Sequence, residues 1–86
     1  MKLLFCTECY DVFNLVLDKE KSCSCGKTRG KYIDNLNAVY YGCGVPMGFN
    51  NSEFIKSMVK QKRYGSGEDF KAFAISNDSP TFIKKD

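Results

Sequence analysis

The sequence contains no histidine and no tryptophan, and it has only two prolines. Without histidine the chain lacks a Ser-His-Asp set and the commonest general base, and catalytic zinc sites usually include a histidine ligand. No apolar run approaches the roughly 20 residues that a transmembrane helix needs. The glycine-rich segment 42–48 lacks the Gly-Lys-Ser/Thr ending of a phosphate loop, and no G-x-G-x-x-G spacing occurs in the chain. We therefore expect a protein that is not an enzyme and does not bind a membrane.

The chain of 86 residues predicts a single domain over residues 1–86. Its hydrophobic content of 43% suffices for a core, but so short a chain buries a modest share of its surface, so a metal cross-link is useful. The N-terminus turns polar too soon for a secretory signal, and five cysteines cannot form a closed set of disulfides. These features favour a reducing, cytoplasmic location and metal ligation.

Four of the five cysteines form two close pairs, Cys6-x₂-Cys9 and Cys23-x-Cys25. Two tight turns of this kind at the end of a hairpin supply the tetrahedron of sulfurs that Zn²⁺ prefers. Ser24, Gly26 and Thr28 are placed to turn polar groups toward the sulfurs. Four thiolate ligands indicate one structural zinc ion, because a catalytic zinc keeps a position open for water.

Other interpretations of the cysteines remain open. Four thiolates also suit a single iron, the cysteines can cluster without a metal, and a C-x₂-C step can be redox-active. Cys43 lies outside both pairs and is predicted to be a small buried or edge thiol, since no histidine is present to activate it.

The predicted fold class is α+β, with a zinc-ribbon part over residues 1–33 and a strand-helix-hairpin part over residues 34–86. In the first part, alternating residues 12–17 are expected to pair in a hairpin whose open end carries the cysteines. In the second part, residues 36–41, 70–76 and 81–83 read as strands, and the last two are predicted to form a C-terminal β-hairpin. The glycine-rich residues 42–48 are expected to form an irregular loop.

One central α-helix is predicted at about 51–63. Asn50 is placed to cap it, with Glu53 three residues later, and Phe49 and Phe54 have the spacing of a hydrophobic staple. Ile55, Met58 and Val59 continue an apolar stripe from Phe54, and basic residues follow toward the C-terminal end.

The two cysteine pairs resemble those of the zinc-ribbon class. Tyr10 stands where such proteins often have glycine, and the second pair is C-x-C instead of C-x₂-C. The whole chain is also similar to small zinc-ribbon proteins of bacteria and their phages, through residues 6–10, 36–40 and 48–52. The resemblance implies the fold, the four metal ligands and a bacterial or phage source, but no activity.

Four bound thiolates and a divalent ion lower the formal charge of +3 to about +1, which does not indicate nucleic-acid binding. The first hypothesis is therefore a non-enzymatic module that binds a protein partner, such as a phage or mobile-element protein that modulates a host factor. The alternative is a nucleic-acid-binding ribbon, and a third hypothesis is self-association through a strand edge. Two sets of residues are candidates for binding a partner or nucleic acid: Lys27, Arg29, Lys31 and Tyr32 beside the metal site, and Lys56, Lys60 and Arg63 on the helix.

Overall fold

The computed structural model describes residues 2–85, and they form two four-stranded sheets and one short helix. The elements in chain order are β1 (Lys2–Cys6), β2 (Val12–Asn14), β3 (Lys21–Ser22), β4 (Thr28–Tyr32), β5 (Ala38–Gly42), β6 (Gly44–Phe49), α1 (Asn51–Val59), β7 (Ala72–Ala74) and β8 (Phe82–Lys84). The first sheet has the strand order β2-β1-β6-β7, and the second has the order β3-β4-β5-β8. All pairs are antiparallel except β5 with β8, which is parallel.

The core lies between the two sheets. Leu4 from the first sheet packs in one cluster with Tyr40 and Phe82 from the second, and Leu15 and Ala38 complete the cluster. Tyr40 and Phe82 meet edge to face, with ring centroids 5.1 Å apart. This core is small, as expected for a short chain, so additional links between the sheets have a large effect on stability.

The two sheets are in close contact near the cysteines. A Cβ atom at Gly44 in β6 would lie 2.5 Å from the Thr28 Cγ2 atom in β4, so only glycine permits this approach. Thr28 is itself fully buried. The ends of β1 and β6 in one sheet are thereby held against β4 of the other.

The predicted α+β fold with a C-terminal hairpin is wrong, because the described chain is mainly β and its last two strands do not pair with each other. Residues 72–74 form β7, which extends the first sheet beside β6. Residues 82–84 form β8, which adds to the second sheet parallel to β5. The turn-forming residues 77–80 therefore carry the chain from one sheet to the other. The buried Phe82 explains this path, since it is a main component of the core.

The predicted N-terminal hairpin is also wrong in its pairing. Only residues 12–14 form a strand, and it pairs with β1. The chain then crosses to the second sheet, where the Tyr32 amide donates to the Val16 carbonyl at 3.0 Å. β3 pairs with β4 instead of with β2.

The predicted irregular loop at 42–48 is mostly β6, a central strand of the first sheet. Pro46 is tolerated there because its carbonyl faces the short strand β7, where it accepts from the Ile75 amide at 2.9 Å. In an antiparallel strand the N–H and C=O of one residue point the same way, so the missing N–H leaves the ladder to β1 intact.

The helix begins where it was predicted and ends four residues earlier than the predicted residue 63. The Asn50 side chain accepts from the backbone amides of Ser52 and Glu53, and Lys60 is the C-cap. Phe49 and Phe54 make the predicted staple, with ring centroids 5.4 Å apart. Among residues 2–85, no helix is long and apolar enough to cross a membrane.

Candidate metal centre

The Sγ atoms of Cys6, Cys9, Cys23 and Cys25 all lie within 4.8 Å of one another. The Cys6–Cys25 and Cys23–Cys25 separations are 3.7 Å and 3.5 Å. A tetrahedral site with metal–sulfur bonds near 2.3 Å has sulfur–sulfur edges of about 3.8 Å. The fold thus brings the four predicted ligands together, and the distances between their sulfur atoms suit one metal ion.

Each cysteine pair is shaped by a tight backbone turn. In the first, the Tyr10 amide donates to the Cys6 carbonyl at 2.9 Å. In the second, the Gly26 amide donates to the Cys23 carbonyl at 3.1 Å. Cys6 ends β1 of the first sheet, whereas Cys23 and Cys25 lie between β3 and β4 of the second. An ion at this centre therefore links the two sheets.

Tyr10 occupies the left-handed backbone region, with φ of 60°. This is the position at which glycine is common in zinc ribbons, and a non-glycine residue there costs about 1–2 kcal/mol. The Tyr10 ring stacks on the Phe5 ring, with centroids 5.6 Å apart, and this contact offsets part of the cost. The departure from glycine therefore does not prevent the turn.

Asp11 joins the two turns and was not singled out as a site residue from the sequence. Its carboxylate accepts from the Ser24 amide at 2.9 Å and from the Ser24 hydroxyl at 3.0 Å. Its backbone carbonyl accepts from the Cys6 amide at 2.9 Å. An isolated aspartate carries no sequence signal for this role, which depends on the turns meeting in space.

Hydrogen bonds stabilise two of the thiolates. The Thr28 hydroxyl, followed by the Cys9 backbone amide, lowers the pKa of Cys6 to about 5. Although burial opposes it, the Thr28 backbone amide helps to lower the pKa of Cys23, and it donates to the Cys23 Sγ atom at 3.4 Å. Thr28 thus supports both pairs, as donors around a thiolate site are expected to do.

The pKa of Cys25 moves in the opposite direction. The Lys27 backbone amide lowers it, but burial and the neighbouring sulfurs of Cys23, Cys9 and Cys6 raise it to about 12. Close thiolates repel one another, so negative charge accumulates here only with a cation among them. The electrostatics therefore fit a bound metal cation.

No protein-family model, curated protein or solved structure matches this chain. The centre is therefore interpreted from its own geometry.

Cys43 contacts the centre although it belongs to neither pair. Its Sγ atom lies 3.9 Å from that of Cys6 and 3.6 Å from the Thr28 hydroxyl oxygen. The contact follows from β6 pairing with β1, where Cys6 lies opposite Gly44. No sequence pattern indicated this contact, because residues 42–48 were predicted to be a loop.

The basic candidates beside the metal centre are largely engaged within the chain. Arg29 pairs with Glu20 at 2.7 Å and lies over the Tyr41 ring at 4.5 Å. The Tyr32 hydroxyl accepts from the Lys2 amide at 3.2 Å. Lys27 is exposed and Lys31 half-buried. The Tyr32 ring is half-buried and has the Lys2 ammonium group 5.3 Å from its centroid. The set thus offers few free cations and little ring surface for stacking on bases.

The three basic candidates predicted on the helix do not all lie on one helical face. Lys56 is exposed and lies 3.9 Å from Glu53, a weak surface pair. Lys60 is exposed at the C-cap. Arg63 lies beyond the helix and over the Tyr64 ring at 5.6 Å, so it does not share a helical face with the two lysines.

Proposed function

We propose that this protein is a non-enzymatic zinc-binding module that acts by binding a protein partner. The observation that carries this proposal is an apolar helix face left exposed on a metal-linked β scaffold. The module fits a reducing, cytoplasmic setting, where thiols remain available for metal. We infer that it is a phage or mobile-element protein that modulates a host factor.

Zinc is the metal that we assign to the four-cysteine centre. Structural zinc is typically tetrahedral and often held by four thiolates, and the sulfur spacing suits it. Cys6, Cys9, Cys23 and Cys25 fill all four positions, which leaves none for a reacting water. Zinc would cross-link the structure as in a zinc ribbon. The four cysteines would hold it, and Thr28 would support the Cys6 and Cys23 sulfurs by hydrogen bonds.

The exposed helix face consists of Ile55, Met58 and Val59, which are 53%, 53% and 78% exposed. Within Asn51–Val59, Ser57 is the only buried residue. A nine-residue helix is marginal without tertiary packing, and surface helices usually bury their apolar side. A partner covering this face would provide the missing packing.

The helix is joined to the sheets by an aromatic cluster of Phe49, Phe54 and Phe70. The ring centroids of Phe54 and Phe70 are 4.9 Å apart, and those of Phe49 and Phe70 are 5.2 Å apart. A groove of about 440 Å³ runs beside this cluster, lined by Phe54, Ser57, Met58, Gln61, Gly67, Glu68 and Phe70. The cluster fixes the helix, and the groove extends its apolar face.

The charge around the face favours an acidic partner. Residues 50–71 carry five lysines and arginines against three carboxylates. A second copy of this chain would bring like charges together, whereas a segment with Asp or Glu beside apolar anchors would complement them. We therefore commit to an acidic, amphipathic protein segment as the occupant.

Site-specific photo-crosslinking tests this proposal. A photoreactive phenylalanine replaces Ile55, and a matched variant carries it at Leu36, which is similarly exposed at 61% but lies in the loop between β4 and β5. We expect the residue at 55 to crosslink a protein segment rich in Asp and Glu, and the residue at 36 to crosslink it far less.

Three outcomes would overturn the assignment of the partner. They are equal crosslinking from the two positions, crosslinks to a second copy of the chain, and crosslinks to nucleic acid. A titration with single- and double-stranded oligonucleotides at two salt concentrations supplements the test. Binding that weakens with salt and on Lys27→Glu substitution would favour a nucleic-acid ribbon instead.

A further inference from the structure

Cys43 is a fifth thiol placed against the centre. Its Sγ atom is 3.9 Å from the Cys6 Sγ atom, close to the spacing of the metal-ligand sulfurs themselves. Cys6 is fully buried, whereas Cys43 is half-buried. Small polar molecules in solvent thus reach Cys43 more readily than they reach Cys6.

The backbone holds these two cysteines together. Cys6 lies opposite Gly44, the residue next to Cys43, in the ladder between β1 and β6. The Cys43 carbonyl also accepts from the Thr7 amide at 3.4 Å and from the Thr7 hydroxyl at 2.9 Å. Disulfide formation needs neighbouring backbone positions and sulfurs that can approach to about 2.05 Å, and this register provides the first condition.

We propose that Cys43 is an oxidation site that forms a disulfide with Cys6 in the presence of hydrogen peroxide. This proposal rests on the four-cysteine metal site proposed above. In the first step the Cys43 sulfur attacks one peroxide oxygen, the O–O bond breaks, and sulfenic acid and water form. In the second step the Cys6 thiolate attacks the Cys43 sulfur, the S–S bond forms, and hydroxide leaves. Peroxide takes up the two electrons that the thiols lose.

The second step removes Cys6 from the ligand set. Three thiolates hold zinc less tightly than four, and the link between the two sheets at β1 is lost with the ligand. Oxidation at Cys43 therefore releases the metal and loosens the end of the molecule where the sheets meet. A reductant reverses the disulfide and restores the site.

The experiment compares the zinc-loaded wild-type protein with Cys43→Ser. Native mass spectrometry first establishes the zinc content of each protein, which tests the metal site independently of Cys43. Hydrogen peroxide is then added, and zinc release is followed with a chromogenic chelator. We expect both proteins to start with bound zinc and the variant to release it severalfold more slowly.

Peptide mapping identifies the bond. Trypsin places Cys6 in the peptide 3–19, Cys43 in the peptide 32–56, and Cys23 with Cys25 in the peptide 22–27. A crosslink between 3–19 and 32–56 that fragmentation assigns to Cys6 supports the proposal. Equal rates of zinc release from the two proteins would overturn it, and so would disulfide bonds found only among Cys6, Cys9, Cys23 and Cys25. Absence of zinc before oxidation would instead refute the metal site.

Discussion

At the scale of single residues, Gly42 shows how closely the second cysteine pair is built into its sheet. Its φ is +90°, and a Cβ atom there would lie 1.8 Å from the Lys27 carbonyl oxygen. Lys27 lies between Cys25 and Thr28, so relieving the clash would displace the turn that carries Cys23 and Cys25. We predict that Gly42→Ala destabilises the zinc-loaded protein by about 3 kcal/mol or more in urea unfolding.

Gly65→Ala is the matched control for this substitution. Gly65 also has a left-handed φ, of +110°, but nothing lies within 4 Å of the added Cβ atom. It should cost only the conformational strain, about 1–2 kcal/mol, and leave zinc affinity unchanged. Equal losses in the two variants would show that the contact with Lys27 is unimportant.

The opposite pKa shifts of Cys6 and Cys25 predict how metal binding depends on pH. In the metal-free protein the pKa of Cys25 is about 12, so Cys25 is protonated at neutral pH and must lose its proton to bind zinc. The pKa of Cys6 is about 5, so its thiolate persists until the pH falls to that region. We predict that zinc affinity rises with pH through the neutral range and collapses near pH 5.

Calorimetry in two buffers of different ionisation enthalpy measures the protons released on zinc binding. Cys25→Ser should bind zinc more weakly and release fewer protons, whereas Cys43→Ser should behave as the wild type does. An affinity that stays constant between about pH 6 and pH 8 would contradict the prediction.

The lowered pKa of Cys6 also determines how the stability of the metal-free fold depends on pH. The folded-state pKa lies below the ordinary value of 9.0. The stabilisation from the Cys6 thiolate is therefore fully present above pH 9, declines as the pH falls, and is lost below about 5. Cys25 has the reverse sign, and its contribution is lost as the pH rises toward 12.

At the scale of elements, the helix was the most predictable part because its signals are local. A capping asparagine and a neighbouring aromatic pair act within one turn of chain, and both form as predicted. Its C-terminal end was less predictable, since the basic residues 60–63 are compatible with a helix but do not require one. Only packing would have extended it, and Val59 is 78% exposed.

The helix cap gives a prediction at this scale. The Asn50 side chain accepts from the Ser52 and Glu53 amides at 2.9 and 3.2 Å. Asn50→Ala leaves both donors without this partner, and we expect a loss of about 1 kcal/mol in the free energy of unfolding. Asn50→Asp retains an acceptor and should lose much less. Hydrogen exchange of the helix amides measures the effect, and equal exchange in the two variants would contradict it.

Several strands, but not β6, were predictable in position, and their partners were not predictable. Residues 38–42 and 82–84 have the composition of strands, yet nothing local indicates that β8 joins β5 in parallel. The turn residues before Phe82 suggested a hairpin, and burial of Phe82 in the core overrode that tendency. β6 was missed because glycine and proline normally interrupt strands, and it is the neighbouring ladders that make them acceptable.

At the scale of the whole molecule, a metal ion bound by the four cysteines would compensate for a small core and an extended shape. The radius of gyration is 14.1 Å, against about 12 Å for a compact chain of this length. The spacing of the four cysteines predicted which residues would meet. It did not predict that one pair belongs to each sheet, because that follows from the pairing of β1 with β6 and of β3 with β4.

This arrangement predicts that metal removal affects the whole molecule and not one loop. A chelator that removes zinc eliminates the link between the sheets and leaves close sulfurs without a cation. Structural zinc contributes on the order of 10 kcal/mol in small zinc-binding peptides, which exceeds the entire stability of many small domains. We therefore expect the amide signals of β5 and β8 to lose dispersion in NMR spectra together with those near the cysteines. Adding zinc back should restore them. If β5 and β8 kept native spectra after chelation, the metal would stabilise only the cysteine turns, and the core around Leu4, Tyr40 and Phe82 would suffice to hold the two sheets together.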